Sequence, residues 1–168
     1  NRTEFSMDFL TSASRVPFEE ELRQAGATVF HISSFKHPVR CYREIRKILQ
    51  RRTYDCLHLN ISTALLAAAA IAGRKERVPV LVHSHSSGFH DSNRRREIVY
   101  TFLHTMCKPL LKRNADSFGA CSMEAAAWMF PRKVVKSGNV QILKNAIDIE
   151  TFEYDESVRR KVREQLNI

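Results

Sequence analysis

The alternation of short apolar runs with helix-like stretches constrains the fold of this chain more than any other feature. The run "VPVLVHS" at 78–84 is almost continuously apolar, as is typical of a parallel strand covered on both faces. Further strand-like runs lie at 4–10, 27–32, 54–60, 116–122 and 140–145. The stretches between them predict helices at 16–26, 38–52, 62–73, 95–114, 123–130 and 155–168. This order predicts an α/β fold with a parallel sheet and helices on both faces.

Single residues predict how several of these helices begin, bend and end. Gly73 is expected to end the helix at 62–73, whose many alanines would let its backbone approach a sheet closely. Ser122 is expected to cap the helix at 123–130, and Pro109 to bend the long helix at 95–114.

Composition limits the classes of protein to which the chain can belong. Its 168 residues suit about one domain, and a net charge of +9 favours an anionic partner such as nucleic acid, anionic lipid or a phosphorylated substrate. No apolar run approaches the roughly 20 residues that span a bilayer. The opening "NRTEFSMDF" is not a signal peptide and lacks an initiator Met, so the true N-terminus is expected upstream. The four cysteines form no C-x-x-C pair, which favours the reducing cytoplasm.

Polar side chains follow three of the predicted strands, at "HLN" (58–60), "HSHSS" (83–87) and "CS" (121–122). Ligands bind such α/β sheets outside the carboxyl ends of the strands. The three segments are therefore candidates for one shared functional edge of the sheet.

The pair His83 and His85 leaves three interpretations open. On a strand the two side chains would point to the same side, with Cα atoms about 7 Å apart, which suits a shared metal. A zinc site needs at least a third ligand, for which His58, His90 or Asp91 are available. Otherwise one ring is buried and bonded to backbone while the other is exposed, or one is a metal-free catalytic or substrate-binding histidine.

A catalytic histidine usually needs an orienting partner, and Asp91, Asp116 and Glu124 are all possible. The chain has no G-x-G-x-x-G, no P-loop and no G-x-S-x-G motif, so a phosphate cradle and an α/β-hydrolase nucleophile are both unsupported.

Basic residues form two candidate anion-binding surfaces. Arg94, Arg95 and Arg96 come just after the histidine segment, where they are either a solvated helix start or a site for phosphate or an acidic sugar. The helix at 38–52 carries a second basic face, which is either solvated or meets a membrane: Arg40, Arg43, Arg46, Lys47, Arg51 and Arg52. Aromatic residues interleaved with the basic ones are not evident, so a nucleic-acid partner is not expected.

Several segments in order resemble one family. "YDCLHLN", "VPVLVHSHSS", "ADSFGACSMEAAAWMF" and "VQILKNAIDIETF" are similar to the N-terminal half of glycosyltransferase family 4, of the capsular and exopolysaccharide type. The most specific element is the family's N-G-[IV]-D-x-x-x-F run. Asn145, Ile147, Asp148 and Phe152 match it, while Ala146 replaces the glycine, so that turn needs a conformation that alanine accepts.

The resemblance implies a GT-B fold, in which two Rossmann-like domains face each other across a cleft. This chain would be the acceptor half of a retaining glycosyltransferase, with residues 1–150 as the acceptor-side domain and 151–168 as a linker helix. The first strand and its glycine-rich loop are expected to be missing, as is the donor domain. The chain alone is then expected to be inactive.

The expected site residues follow from the same resemblance together with the polar strand ends and the arginines after the histidine segment. His85 takes the position of the family's histidine at the cleft floor and is the expected catalytic residue. The expected substrate-binding residues are Asn60, His83, Ser84, Ser86, Arg94, Ser122 and Glu124.

The resemblance implies no cofactor or metal in this chain, because the nucleotide-sugar donor would bind mainly the absent domain. The acceptor would be a sugar or a lipid-linked glycan, met in the cytoplasm or at the inner face of an anionic membrane. A metal-dependent hydrolase using His83 and His85, and a basic module that binds nucleic acid or phosphate polymers, remain the alternatives.

Overall fold

Short parallel strands alternate with helices throughout the computed structural model, which describes residues 5–89 and 92–168. The strands are β1 (Phe9–Thr11), β2 (Val29–His31), β3 (Leu57–Ile61), β4 (Val80–Ser84), β5 (Ser117–Ala120) and β6 (Val140–Ile142). The α-helices are α1 (Glu19–Gln24), α2 (Pro38–Leu49), α3 (Ala67–Lys75), α4 (Arg94–Asn114), α5 (Met123–Met129), α6 (Arg132–Lys136) and α7 (Glu156–Leu166). Two 3₁₀ turns lie at Ala64–Leu66 and Glu150–Phe152.

The strands form two parallel sheets. One contains β3, β4, β5 and β6 in that order, and the other contains β1 and β2. Within the described ranges, β1 and β3 each pair with a single neighbouring strand. The predicted parallel α/β fold is confirmed, and the predicted absence of a first strand stays a prediction.

Helix α3 packs very closely against the larger sheet because its facing residues are small. Its buried residues are four alanines and one glycine: Ala67, Ala69, Ala70, Ala72 and Gly73. A Cβ added at Gly73 would come within 2.5 Å of Val80 Cγ2 and 3.1 Å of Leu57 Cδ2. The predicted close approach is therefore confirmed, and glycine is needed at the point where helix and sheet are nearest.

Several details of the predicted elements are wrong. Helix α3 continues past Gly73 to Lys75, because Gly73 keeps helical backbone and its role is steric. Residues 5–8 of the strand predicted at 4–10 are not in a strand, β1 begins at Phe9, and residues 1–4 lie outside the described residues. Helix α6 was not expected from the sequence.

Other details agree with the expectations. Ser122 caps α5, since its hydroxyl accepts a hydrogen bond from the Ala125 backbone N–H at 3.1 Å. Helix α4 runs through Pro109 without interruption, so the predicted bend there stays a prediction.

Asp8, just before β1, connects the small sheet to the segment that leads into β3. Its carboxylate accepts hydrogen bonds from Thr28 N–H at 2.8 Å, Tyr54 O–H at 2.8 Å and Arg52 Nη1 at 3.0 Å. Burial alone would raise the pKa of Asp8, but these bonds and the charge of Arg52 hold that pKa below its usual value. The ionised carboxylate thus stabilises the contact between the two parts of the fold.

His104 joins three elements inside the protein. The ring is fully buried on α4, its Nδ1 accepts a hydrogen bond from Ala64 N–H at 3.0 Å, and its Nε2–H donates to the Trp128 carbonyl at 2.9 Å. The ring also stacks on the Trp128 indole, with centroids 4.0 Å apart. His104 therefore holds α4 against α5 and the turn after β3 while its ring is neutral.

Replacing His104 should cost stability and reduce the acid sensitivity of the protein. His104→Leu leaves the buried Ala64 N–H and Trp128 carbonyl unpaired, so we expect unfolding free energy to fall by about 2–4 kcal/mol in urea denaturation. His37→Leu, at an exposed histidine, is the control and should change it by less than about 0.5 kcal/mol.

Burial holds the pKa of His104 below its usual value. The hydrogen bond to the Trp128 carbonyl partly opposes this effect, and the charge of Lys108 adds a smaller lowering of the pKa. The unfolded chain therefore takes up a proton at higher pH than the folded chain, and stability should fall as pH drops through about 6.5. His104→Leu should show a shallower slope between pH 7 and 5. An unchanged slope would contradict this role.

Candidate active site

The carboxyl ends of β3, β4, β5 and β6 meet along one edge of the larger sheet. His83 pairs in register with Asn60 on one side and with Gly119 on the other. The ladder continues one residue past β4, because His85 N–H donates to the Ile61 carbonyl at 3.2 Å. The polar segments that follow β3 and β4 are therefore brought together, as the sequence predicts.

Three imidazole rings lie in a row at this edge. The His58 and His83 rings are stacked, with centroids 5.5 Å apart and an interplanar angle of 8°. The His83 and His85 centroids are 4.2 Å apart. His83 is buried, whereas His58 and His85 are exposed. We call these three residues the histidine row.

His85 is oriented by Asn60, across the gap between two strands. Its Nε2 lies 2.9 Å from Asn60 Oδ1. Because an amide oxygen only accepts hydrogen bonds, Nε2 carries the proton, and in the neutral ring Nδ1 keeps a lone pair. The arrangement gives an exposed imidazole with a defined tautomer, which is what a base or a hydroxyl-binding group requires.

The interior of the row disfavours positive charge. Burial lowers the pKa of His83, and the neighbouring His85 and His58 lower it further when they are charged. His58 is exposed as a residue, but the protein around its ring removes part of its hydration and so lowers its pKa, with a smaller effect of the charge of His85. His83 Nε2 has no hydrogen-bond partner in the described part of the chain, so this ring is buried but not bonded to backbone through that atom. The neutral form is therefore favoured for the His58 and His83 rings.

The histidine row does not have the geometry of a metal centre. Among residues 5–89 and 92–168, no group of three or more His, Cys, Asp or Glu side chains converges as metal ligands. The His58 and His83 rings are stacked, and the His85 ring is tilted by 41° to the His83 ring. His90 and Asp91, named above as possible ligands, lie outside the described residues.

Ser84 and Ser86 have hydroxyl groups that are engaged within the protein. Ser84 is fully buried, and its Oγ donates to the Ala125 carbonyl at 2.9 Å. Because successive side chains of a strand point to opposite faces, the Ser84 side chain lies on the face opposite to that of His83. Ser86 Oγ donates to the Gly88 carbonyl at 2.8 Å within the following loop. Their substrate-binding roles stay predictions, and for Ser84 the placement favours packing.

Ser122 and Glu124 lie at the start of α5. Hydrogen bonds from the Glu124 backbone N–H, and then from the Ser122 hydroxyl, lower the pKa of the exposed Glu124 carboxyl. Asp116, considered above as an orienting acid, is at the opposite edge of the sheet, where it accepts from Val80 N–H at 2.9 Å. Asn60, not Asp116, is therefore the side chain that orients His85.

Arg94 lies on the exposed surface of α4. It lines a shallow groove of about 460 Å³ together with Ile98, Thr101 and Phe102. Within the described residues no hydrogen bond, ion pair or ring contact joins Arg94 to the histidine row. Its predicted substrate-binding role stays a prediction.

The segment after β6 contains the most specific sequence motif. Asp148 accepts hydrogen bonds from Glu150 N–H at 3.2 Å and Thr151 Oγ1 at 2.9 Å, which fix the 3₁₀ turn at Glu150–Phe152. Ala146 is not among the described non-glycine residues with positive φ. The expectation that alanine is accommodated at this position is confirmed.

Comparison with known proteins now adds the family. The family model for Glycosyltransferase Family 4 matches residues 2–151, which is most of the chain. The chain belongs to glycosyltransferase family 4. Membership favours a transferase over the metal-dependent hydrolase and over the module that binds nucleic acid or phosphate polymers.

A curated relative is similar to this chain in sequence, and two solved structures share its fold. EpsF of Bacillus subtilis (strain 168), a provisionally named glycosyltransferase, is 26% identical over 163 residues, which cover 90% of this chain and 40% of EpsF. Anabaena Alr3699/HepE in complex with UDP has a TM-score of 0.57, and in complex with UDP and glucose 0.61, at 19% identity in each case.

These alignments also define how much of the relatives the chain represents. The two HepE alignments cover 89% of this chain and 39% and 40% of the HepE chain. The chain therefore spans about two fifths of the length of the proteins it matches, and its fold is one Rossmann-like half of GT-B.

His58 belongs to the site through its ring contact with His83, which the sequence does not predict. The signal was present in "YDCLHLN", where strand alternation puts His58 and Asn60 on the same face, away from the buried Leu57 and Leu59. Register with β4 could not be read from the sequence, so the stacking of His58 on His83 was not foreseen.

The electrostatic coupling of the row can be measured by NMR. We expect His58 and His83 to titrate below pH 6.5 and His85→Gln to raise both pKa values, because a neighbouring positive charge is removed. His37→Gln, at the exposed histidine just before α2, should leave both values unchanged. Ordinary pKa values for His58 and His83 in the unmodified protein would contradict the row as described.

Proposed function

We propose that this chain is the acceptor-binding half of a retaining glycosyltransferase that acts in polysaccharide synthesis. The enzyme transfers a sugar from a nucleotide-sugar to a glycan or a lipid-linked acceptor. The observation that carries the proposal is the exposed His85–Asn60 pair at the carboxyl edge of a parallel sheet, in a chain that belongs to this family. Ligands of open α/β sheets bind at that edge.

His85 acts on the acceptor hydroxyl. The Asn60 amide holds Nε2–H, so Nδ1 accepts the hydroxyl proton while the acceptor oxygen forms a bond to the anomeric carbon. The bond from that carbon to the phosphate oxygen of the donor breaks on the same face of the sugar, as retention requires, and the nucleotide leaves with the electron pair. The low pKa values of His58 and His83 favour this step, because they keep the neighbouring rings neutral.

The donor half is proposed to lie outside this chain. Residues 1–150 form the acceptor-side domain and 151–168 the linker to a donor-binding domain. Helix α7 has no buried residue, which suits a segment that contacts another domain. Because the HepE structures contain UDP, a UDP-sugar is the first donor to try. This chain itself needs no cofactor.

The acceptor is proposed to be reached in the cytoplasm, at the inner face of an anionic membrane. The net charge of +9 favours a phosphate-linked acceptor and an anionic lipid surface. Within the part of the chain that the structure describes, no helix has the length and apolar content that crossing a bilayer requires.

Activity of the full-length enzyme should depend on His85 much more than its stability does. His85→Ala removes an exposed side chain, so we expect kcat to fall by about 100-fold or more with little change in the unfolding midpoint. His37→Ala is the matched exposed control and should keep full activity. The measurement is release of UDP from UDP-glucose and other UDP-sugars in the presence of acceptor.

The same assay tests the division of labour between the two halves. The 168-residue chain alone should give no turnover, because the donor-binding groups are elsewhere. Full activity in His85→Ala would make His85 a surface residue without a catalytic role, and turnover by the isolated chain would contradict the proposed half-site.

A further inference from the structure

Helix α4 carries a row of exposed apolar side chains that no described element covers. Phe102, Met106 and Ile98 are 63%, 61% and 60% exposed. The complete row, which we call the α4 apolar row, is Ile98, Val99, Phe102, Leu103, Met106 and Leu110. Single exposed apolar residues are ordinary on soluble proteins, but contiguous patches mark interaction surfaces.

The spacing of these residues puts them on one face of a rigid helix. Ile98, Phe102, Met106 and Leu110 follow one another at four-residue intervals, which align along one side of an α-helix. The opposite side is anchored, because His104 and Leu111 are fully buried. The row extends about 18 Å along the helix axis at 1.5 Å per residue. It is therefore a fixed, linear apolar surface.

Positive charge flanks the row at both ends. Helix α4 has six basic residues, of which Arg94, Arg95 and Arg96 precede the row and Lys112 and Arg113 follow it, and its single acidic residue is the half-buried Glu97. An apolar centre between cationic ends is typical of helices that lie flat in the interface of an anionic bilayer.

This charge pattern discriminates against a second copy of the chain. If two α4 helices packed row against row, cationic ends would face cationic ends in both the parallel and the antiparallel orientation. A nucleic acid would satisfy the charges but leave the aliphatic centre without a partner. A bilayer with anionic headgroups satisfies both the centre and the ends.

The other basic face of the protein has no comparable apolar row among the described residues. On α2, Arg40 pairs with Glu44 at 3.0 Å and Arg46 pairs with Glu76. Val39 is the exposed large apolar residue of that helix among those described. Helix α2 therefore offers basic residues with Val39, whereas α4 offers basic residues together with a row of apolar side chains.

We propose that the exposed face of α4 docks on an anionic membrane, with Phe102 and Met106 inserted among the lipid chains and the flanking arginines and lysines on the headgroups. This inference deepens the proposed function, because it names the surface that would hold the acceptor site next to a lipid-linked substrate. It is tested without donor or acceptor, so its failure would leave the transferase proposal standing.

The test is flotation of the full-length protein with phosphatidylcholine vesicles that contain or lack 30% phosphatidylglycerol, a composition on the order of natural anionic membranes. Binding should require the anionic lipid and weaken with salt. Phe102→Ser combined with Met106→Ser should weaken binding about tenfold or more. Arg95→Gln combined with Arg113→Gln should weaken it by a similar factor and reduce the salt dependence.

Arg43→Gln combined with Lys47→Gln on α2 removes the same charge from the other face and should change binding less than about twofold. Circular dichroism checks that each variant folds. If the variant with both Phe102→Ser and Met106→Ser does not fold, Phe102→Ser alone is used in its place. Unchanged binding by a folded apolar variant would overturn the proposal. So would equal binding to neutral vesicles, an equal loss in the α2 variant, or a dimer in size-exclusion chromatography that Phe102→Ser dissociates.

Discussion

The close packing of α3 on the parallel sheet is the contact on which the rest of this structure depends. A helix with an alanine face, and with Gly73 opposite Val80, can approach β3 and β4 more closely than a helix with larger side chains. That packing buries Leu57, Leu59 and Val82 on one face of the sheet. Strand alternation then directs His58, Asn60 and His83 to the other face, so the chemistry of the edge is a consequence of the core.

The histidine row combines burial and exposure in adjacent residues. His83 is buried and His85 is exposed, although the two are only two positions apart, because β4 ends at Ser84. Burial makes a charged ring costly in the middle of the row, while Asn60 fixes the tautomer at its end. The sheet thereby supplies one accessible, oriented imidazole next to neutral neighbours, which suits it to bind a sugar hydroxyl.

The order and type of most elements follow from apolar patterning, and so does the common edge of polar strand ends. What the sequence could not supply is register and distance. Glycine is common just after helices, so the sequence predicts a helix end at Gly73. The structure shows instead that a Cβ at this position would lie 2.5 Å from Val80 Cγ2, a distance that depends on the fold. The sequence offers Asp91, Asp116 and Glu124 as partners of His85, and predicts only a substrate-binding role for Asn60. Only strand pairing places Asp116 at the far edge and Asn60 within 2.9 Å.

A crystal structure of the full-length enzyme with UDP and an acceptor would test the central claim most directly. The account predicts an acceptor hydroxyl within about 2.6–3.2 Å of His85 Nδ1, with the Asn60 bond to Nε2 retained. An acceptor bound at another edge of the sheet, with neither His85 nor Asn60 in contact, would contradict it.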